Sequence, residues 1–298
     1  MPGAMVLSAH SPVGAFPLAP AREGGSAMGQ IAAWHEEWND WDSGVGELAC
    51  VLDGAPPFRG VPFRVLEDVA SRAVTIAVDR GRVFLPDTEP GAGSAGEDAE
   101  RRVYVILLGW CKVVRHLADG RQAVLDVKGP GALVGEEALA GFPVGPLPGA
   151  VALSRCELAS IAVGSLLAVA ARHRSLQLAL ARYLGERLIA AEVRLVERNM
   201  PVERRLVEAL SRLGGSIRRP VTRHRTVDHD EEHEDDEFEH RRGDWGDGPA
   251  LGQGDLASLV GASRETVNRA LAALAARGLV AMDGGCPTLI DRAAAAVA

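Results

Sequence analysis

Arg264, Glu265, Asn268 and Arg269 recur at a spacing that gathers them on one face of a helix. Their chemistry is the reading of hydrogen-bonding edges. A guanidinium bonds guanine O6 and N7 with both arms, a carboxylate accepts from cytosine N4, and an Asn amide pairs with adenine or holds a phosphate. Ser263 and Thr266 complete the candidate DNA-binding set. On the opposite phase Val267, Ala270, Leu271 and Leu274 are apolar and give the same helix a buried side.

The flanking residues supply what such a helix needs. Leu256, Leu259 and Val260 fit the buried face of a first short helix, and Gly261-Ala262-Ser263 makes a tight turn with Ser263 as N-cap. Gly278 is placed to end the second helix in a left-handed cap. Beyond it, residues 279–282, Asp283-Gly284-Gly285 and residues 287–290 read as a two-stranded wing around a glycine turn. An ordinary helical hairpin with solvated charges is the competing reading. Agreement of turn, cap, polar face and wing favours a winged helix-turn-helix.

The run SRETVNRAL with its short wing resembles the C-terminal domain of the Crp/Fnr regulators. Residues 109–136, GWCKVVRHLADGRQAVLDVKGPGALVGE, are similar to the β-roll of the same family, the fold of cyclic-nucleotide-binding domains. Together the matches and the helix between them cover about residues 46–291. The resemblance implies an α+β fold: an N-terminal β-roll (a cyclic-nucleotide-binding-like jelly roll), a long dimerisation helix and a C-terminal winged helix-turn-helix. The expected divisions are a disordered N-terminal segment 1–44, rich in Pro, Gly, Ala and Ser, a β-roll sensor 45–164, a dimer helix 165–200, and a DNA-binding domain 201–298 carrying an insertion at 224–242. Implied partners are double-stranded DNA, a second copy of the chain and RNA polymerase. No metal or other cofactor is required by this reading, and a cyclic nucleotide is the ligand to test.

Residues 165–199 read as nearly continuous helix, with Gly185 the one Gly or Pro. Leu180, Leu184, Leu188, Ala191 and Leu195 step by three and four along it, an apolar seam about five turns long. In the resembling family this helix pairs with its symmetry mate and sets two reading heads about one turn of duplex apart. Packing of the seam within its own chain is the alternative. Pro201 marks the expected hinge.

For the sensor, the resemblance makes Glu136 the carboxylate that holds a sugar hydroxyl and Gly135 the glycine that opens a phosphate loop. Aligning Cys156-Glu157-Leu158-Ala159 with the strand after that loop puts Pro146 and Leu147 where the family carries Arg and Ser. The phosphate anchor is therefore missing, and Arg155 sits in the wrong place to replace it. A buried phosphate deprived of its arginine loses several kcal/mol, on the order of the roughly 3–5 kcal/mol for an unpaired buried charge.

The insertion HRTVDHDEEHEDDEFEHRR departs from the family pattern. Between residues 201 and 298 there are 13 arginines against 17 acids, and nine of those acids fall within 228–239. Outside that short stretch the balance is basic, as a duplex-binding surface requires. A solvated loop, a competitor for the basic face and a metal-binding loop using His229 and His233 are the three readings. A metal-responsive regulator, and a scaffold protein that has lost DNA binding, follow as functional alternatives.

The rest of the chain narrows the class. Trp34, Trp38 and Trp41 form one stripe that packs on the chain's own core or on a partner. Residues 62–85 contain β-branched runs read as strands, residues 91–102 an inserted polar loop, and Tyr104 to Leu108 a return to the sheet. Four scattered cysteines suggest neither disulfides nor a cluster. No run is apolar enough to span a bilayer, so a cytoplasmic protein is expected. Two lysines against 30 arginines, with abundant Ala and Gly, point to a G+C-rich bacterial genome. There is no Walker loop, nucleophile elbow or HExxH, hence no catalytic constellation.

Overall fold

A strand without a polar residue over six positions needs cover on both faces, and VYVILL within β3 (Arg102–Leu108) has it. The computed structural model describes residues 44–85, 101–140, 147–213, 249, 251–283 and 286–290. Around β3 it builds two antiparallel four-stranded sheets from β1 (Ala73–Val78), β2 (Val83–Leu85), β3, β4 (Cys111–His116), β5 (Gln122–Lys128), β6 (Leu133–Val134), β7 (Gly149–Ala152) and β8 (Cys156–Ala162). Their orders are β1-β8-β3-β6 and β2-β7-β4-β5. Tyr104 and Ile106 of β3 meet Cys111, Ala150, Ala152, Cys156 and Leu158 in the core between the sheets. Val103, Val105 and Leu107 face the other way, into a larger core with helices. The period of two thus sorts one strand between two hydrophobic layers.

The helices of that outer layer are α1 (Gly44–Gly54), α2 (Phe63–Ala70), α3 (Val163–Arg172) and the first turns of α4 (Arg174–Glu197). Phe58, Leu66, Leu166 and Leu176 are fully buried there. α2 corrects the expectation of strands from residue 62: Val65, Leu66, Val69 and Ala70 are buried at helical spacing, and strand structure begins only at Ala73. The expected continuous helix 165–199 is also broken. His173 adopts an extended conformation (φ −130°, ψ 100°), and the Ala170 carbonyl before it accepts from the His173 amide at 3.1 Å and from Gln177 Nε2 at 2.7 Å. No Gly or Pro announces that break.

After Pro201 the chain forms α5 (Val202–Arg212), α6 (Gln253–Val260), α7 (Arg264–Ala276) and the antiparallel pair β9 (Val280–Asp283) and β10 (Cys286–Leu289). Cys111 and Cys156 are buried free thiols, the second pushed up to about 11 by burial, while Cys50 is exposed. The N-terminal segment with Trp34, Trp38 and Trp41, most of the 91–102 loop, Pro146, and the whole 224–242 insertion with His229 and His233 lie outside the described residues.

Candidate nucleic-acid interface and sensor pocket

Leu206, Leu210, Leu256, Val267, Leu271 and Leu274 close a core between α5, α6 and α7, with Val280 and Leu289 adding the wing. That packing fixes which face of α7 is left over. Arg264, Glu265, Asn268 and Arg269 are all exposed, as is Ser263 before them. Ser263 Oγ accepts from the Thr266 amide at 3.1 Å, the N-cap expected from sequence. It also lies 2.8 Å from Thr266 Oγ1, so these two hydroxyls hold each other and the first turn. Arg269 Nη2 is 3.8 Å from Glu265 Oε1 in open solvent, an i,i+4 contact loose enough to leave both groups available.

The entry to α7 is shaped by the turn glycine expected from sequence and by Arg205 and Gly254, which the sequence did not single out. Gly261 (φ 65°) ends α6 in a left-handed cap, and Arg205 Nη1 donates to the Val260 and Gly261 carbonyls at 2.7 and 3.2 Å. The Arg264 guanidinium lies across Gly254, against the position a Cβ there would take. Gly278 has φ 70°, as a left-handed cap requires.

The winged helix is docked on the roll rather than hung from it. Lys112 Nζ on β4 meets Asp255 Oδ1 on α6 at 2.7 Å, with their side chains 14% and 27% exposed. The Val124 amide of β5 donates to Ser258 Oγ at 2.8 Å. Trp110, Val127 and Leu153 of the roll pack into the helix-turn-helix core. β5 is an edge strand, and α6 covers part of it.

Gly135 (φ 81°) and Glu136 follow β6, and the Glu136 carboxylate is already paired within the chain. It is 5% exposed, as is Lys128. Lys128 Nζ donates to Glu136 Oε1 at 2.6 Å, to Oε2 at 2.7 Å and to the Leu133 carbonyl at 2.7 Å. Arg187 of α4 donates through Nε to Glu136 Oε1 at 3.2 Å and through Nη2 to Asp126 Oδ2 at 2.7 Å. Arg194 Nη1 reaches Asp126 Oδ1 at 3.3 Å.

Burial alone would raise the Asp126 carboxyl, but Arg187, Arg194 and Lys128 outweigh it and hold the group below its usual range. Glu137 is pushed up, first by burial and then by the charge of Glu136. Burial likewise raises the Tyr183 phenol, which sits between the Leu133 amide and carbonyl. A cleft of about 480 Å³ is lined on one side by this network, with Asp126, Lys128, Glu136, Arg187 and Arg194 at its wall, and on the other by α5 and α6. Leu147, at the expected phosphate-loop position, is half-buried.

Along α4 the apolar seam divides in two. Leu180 is 6% exposed and belongs to the roll's core, so it is unavailable to a partner. Leu184, Leu188 and Leu195 are 37%, 61% and 64% exposed, and Ala191 is half-buried between them. Ile189 and Val196, which the seam had not included, are exposed beside them.

The chain matches a cyclic nucleotide-binding domain family over residues 94–173 and a Crp-like helix-turn-helix domain family over residues 204–294. It is 28% identical over 251 residues to a CRP-like cAMP-activated global transcriptional regulator of Mycobacterium tuberculosis, covering 81% of this chain and 95% of that one. In fold it is similar to FixK2 of Bradyrhizobium japonicum, with a TM-score of 0.53 at 18% identity over 75% of this chain and 95% of that one. The c-di-GMP-responsive global regulator CLP of Xanthomonas campestris gives a TM-score of 0.53 at 20% identity over 77% and 100%.

Proposed function

The chain belongs to the Crp/Fnr family of transcription regulators, and from that premise we propose that it binds a two-fold symmetric DNA site as a homodimer. The observation that carries this reading is the exposed, capped N-terminal end of α7, with Arg264, Glu265, Asn268 and Arg269 clear of the core. A helix presented in this way enters a major groove with its first turns against base edges. Ser263 and Thr266 fix the start of that helix, and the hydroxyl of Ser263 lies at the rim of the surface facing the phosphates.

Leu184, Leu188, Ala191 and Leu195 supply the dimer seam. Three of these are leucines left on solvent along a helix about 36 Å long by its residue count. An apolar stripe of that length has a natural complement in its own symmetry mate, which would place the two α7 helices on one side of the assembly. The roll is the regulatory domain, and its phosphate anchor is degenerate, because Pro146 and Leu147 offer no side-chain donor.

The experiment is titration of Arg269→Ala against a bound duplex and its single-base variants. Loss of about 1–3 kcal/mol with relaxed preference at one position per half-site is the expected result. Unchanged affinity would remove α7 as the reading helix and favour a scaffold role for the fold.

A further inference from the structure

We propose that Lys128 closes the sensor pocket from within, so that the β-roll admits no cyclic nucleotide and α4 is positioned by the protein's own charges instead of a diffusible effector. The consequence for DNA rests on the reading above; the closure itself does not.

A carboxylate holds a ligand hydroxyl only with lone pairs that are free and reachable. Glu136 offers little of either, since three of its roughly four acceptor positions are taken by cations and the group is buried. Its Oε1 accepts from both Lys128 and Arg187, its Oε2 from Lys128, and the side chain is 6% exposed. Lys128 is equally committed, since its three ammonium protons meet three acceptors, Glu136 Oε1, Glu136 Oε2 and the Leu133 carbonyl. Arg187, the next cation, is divided between Glu136 and Asp126, and Asp126 takes Arg194 as well. A nucleotide entering here must strip Glu136 of its cations or leave Lys128 unpaired in a low-dielectric interior.

The choice of residue fits this role. Of the chain's 32 basic residues only Lys112 and Lys128 are lysines, and each is placed in an ion pair at most half-exposed. An ammonium is a compact charge with rotatable donors and suits three convergent acceptors, where a planar guanidinium would not. The network also spans three elements: Asp126 and Lys128 from β5, Glu136 from the turn after β6, and Arg187 and Arg194 from α4. Lys128 is thus a positioning residue, acting on α4 through Glu136 and Arg187.

The test uses the full chain and has two arms. In calorimetry, cyclic AMP and cyclic GMP added to about 1 mM should give no binding heat, and neither should change duplex affinity by more than about twofold; a dissociation constant tighter than about 1 mM for either overturns the closure. In the second arm, Lys128→Met should weaken duplex binding at least about tenfold, while Lys128→Met with Glu136→Gln, which removes both charges, should recover to within about threefold of the parent. The double variant also serves if the single one does not fold. Equal binding by parent and Lys128→Met, or a double variant as weak as the single, overturns the positioning role. A parent that binds no duplex at all would instead contradict the DNA-binding reading, with the calorimetry still deciding the closure.

Discussion

Lys112 on β4 and Asp255 on α6 lie 143 residues apart in sequence and 2.7 Å apart in space. They join the roll to α6, and the Val124–Ser258 hydrogen bond repeats the join from the adjacent strand β5. Asp255→Asn, which keeps the shape and removes the charge, should cost about 1–2 kcal/mol, between the values for exposed and buried pairs. Ser258→Ala should speed hydrogen exchange at the Val124 amide about fivefold or more by removing its acceptor. Exchange at Val124 unchanged by both substitutions would mean that this docking does not persist in solution.

Leu188 sits mid-way along the exposed stripe of α4. A carboxylate there must be buried without a partner if two copies pair, so Leu188→Glu should convert the dimer to monomer in sedimentation and reduce duplex affinity with it. A variant that remains dimeric would move the interface elsewhere.

Ser263 caps the first turn of α7. Ser263→Ala should lower stability by about 1 kcal/mol through the lost acceptor for Thr266. For a chain of this size that corresponds to a fall of about 2–4 °C in the unfolding midpoint. A larger fall would show that the hydroxyl carries more than the cap.

Asp126 gives a pH dependence with a defined sign. Its folded-state acidity lies below the ordinary value of 3.8, so its stabilising effect is fully present above that value and is lost as pH falls below it through the folded range. Comparing thermal midpoints of the parent and Asp126→Asn from neutral pH to pH ~3 should show a gap that narrows at the acid end. A gap that widens on acidification would reverse the sign of the coupling.

What was legible in the sequence was what is local. The cap at Ser263, the left-handed Gly278, the polar face of α7 and the paired wing strands all depend on residues within one or two turns of one another. The alternation of β3 side chains between two cores was hidden, because a strand buried on both faces shows no alternation of polarity. The assignments that depend on distant partners could not be read. Glu136 announced itself as a carboxylate after a glycine, but nothing eight residues upstream declares that Lys128 will neutralise it, and Arg187 comes from another element altogether. The rarity of lysine in an arginine-rich chain was the one available signal. Leu180 shares the spacing of the seam yet packs inward, because the apolar core of the roll reaches only the first half of α4.

The most direct measurement is selection of bound duplexes from a random DNA pool by the purified full-length protein, at stated moderate salt and with no added nucleotide. Enrichment of a two-fold symmetric site with half-sites about one helical turn apart, bound by a dimer, is the expected result. Failure to enrich any sequence without a ligand, or enrichment of a single asymmetric half-site bound by a monomer, would contradict it.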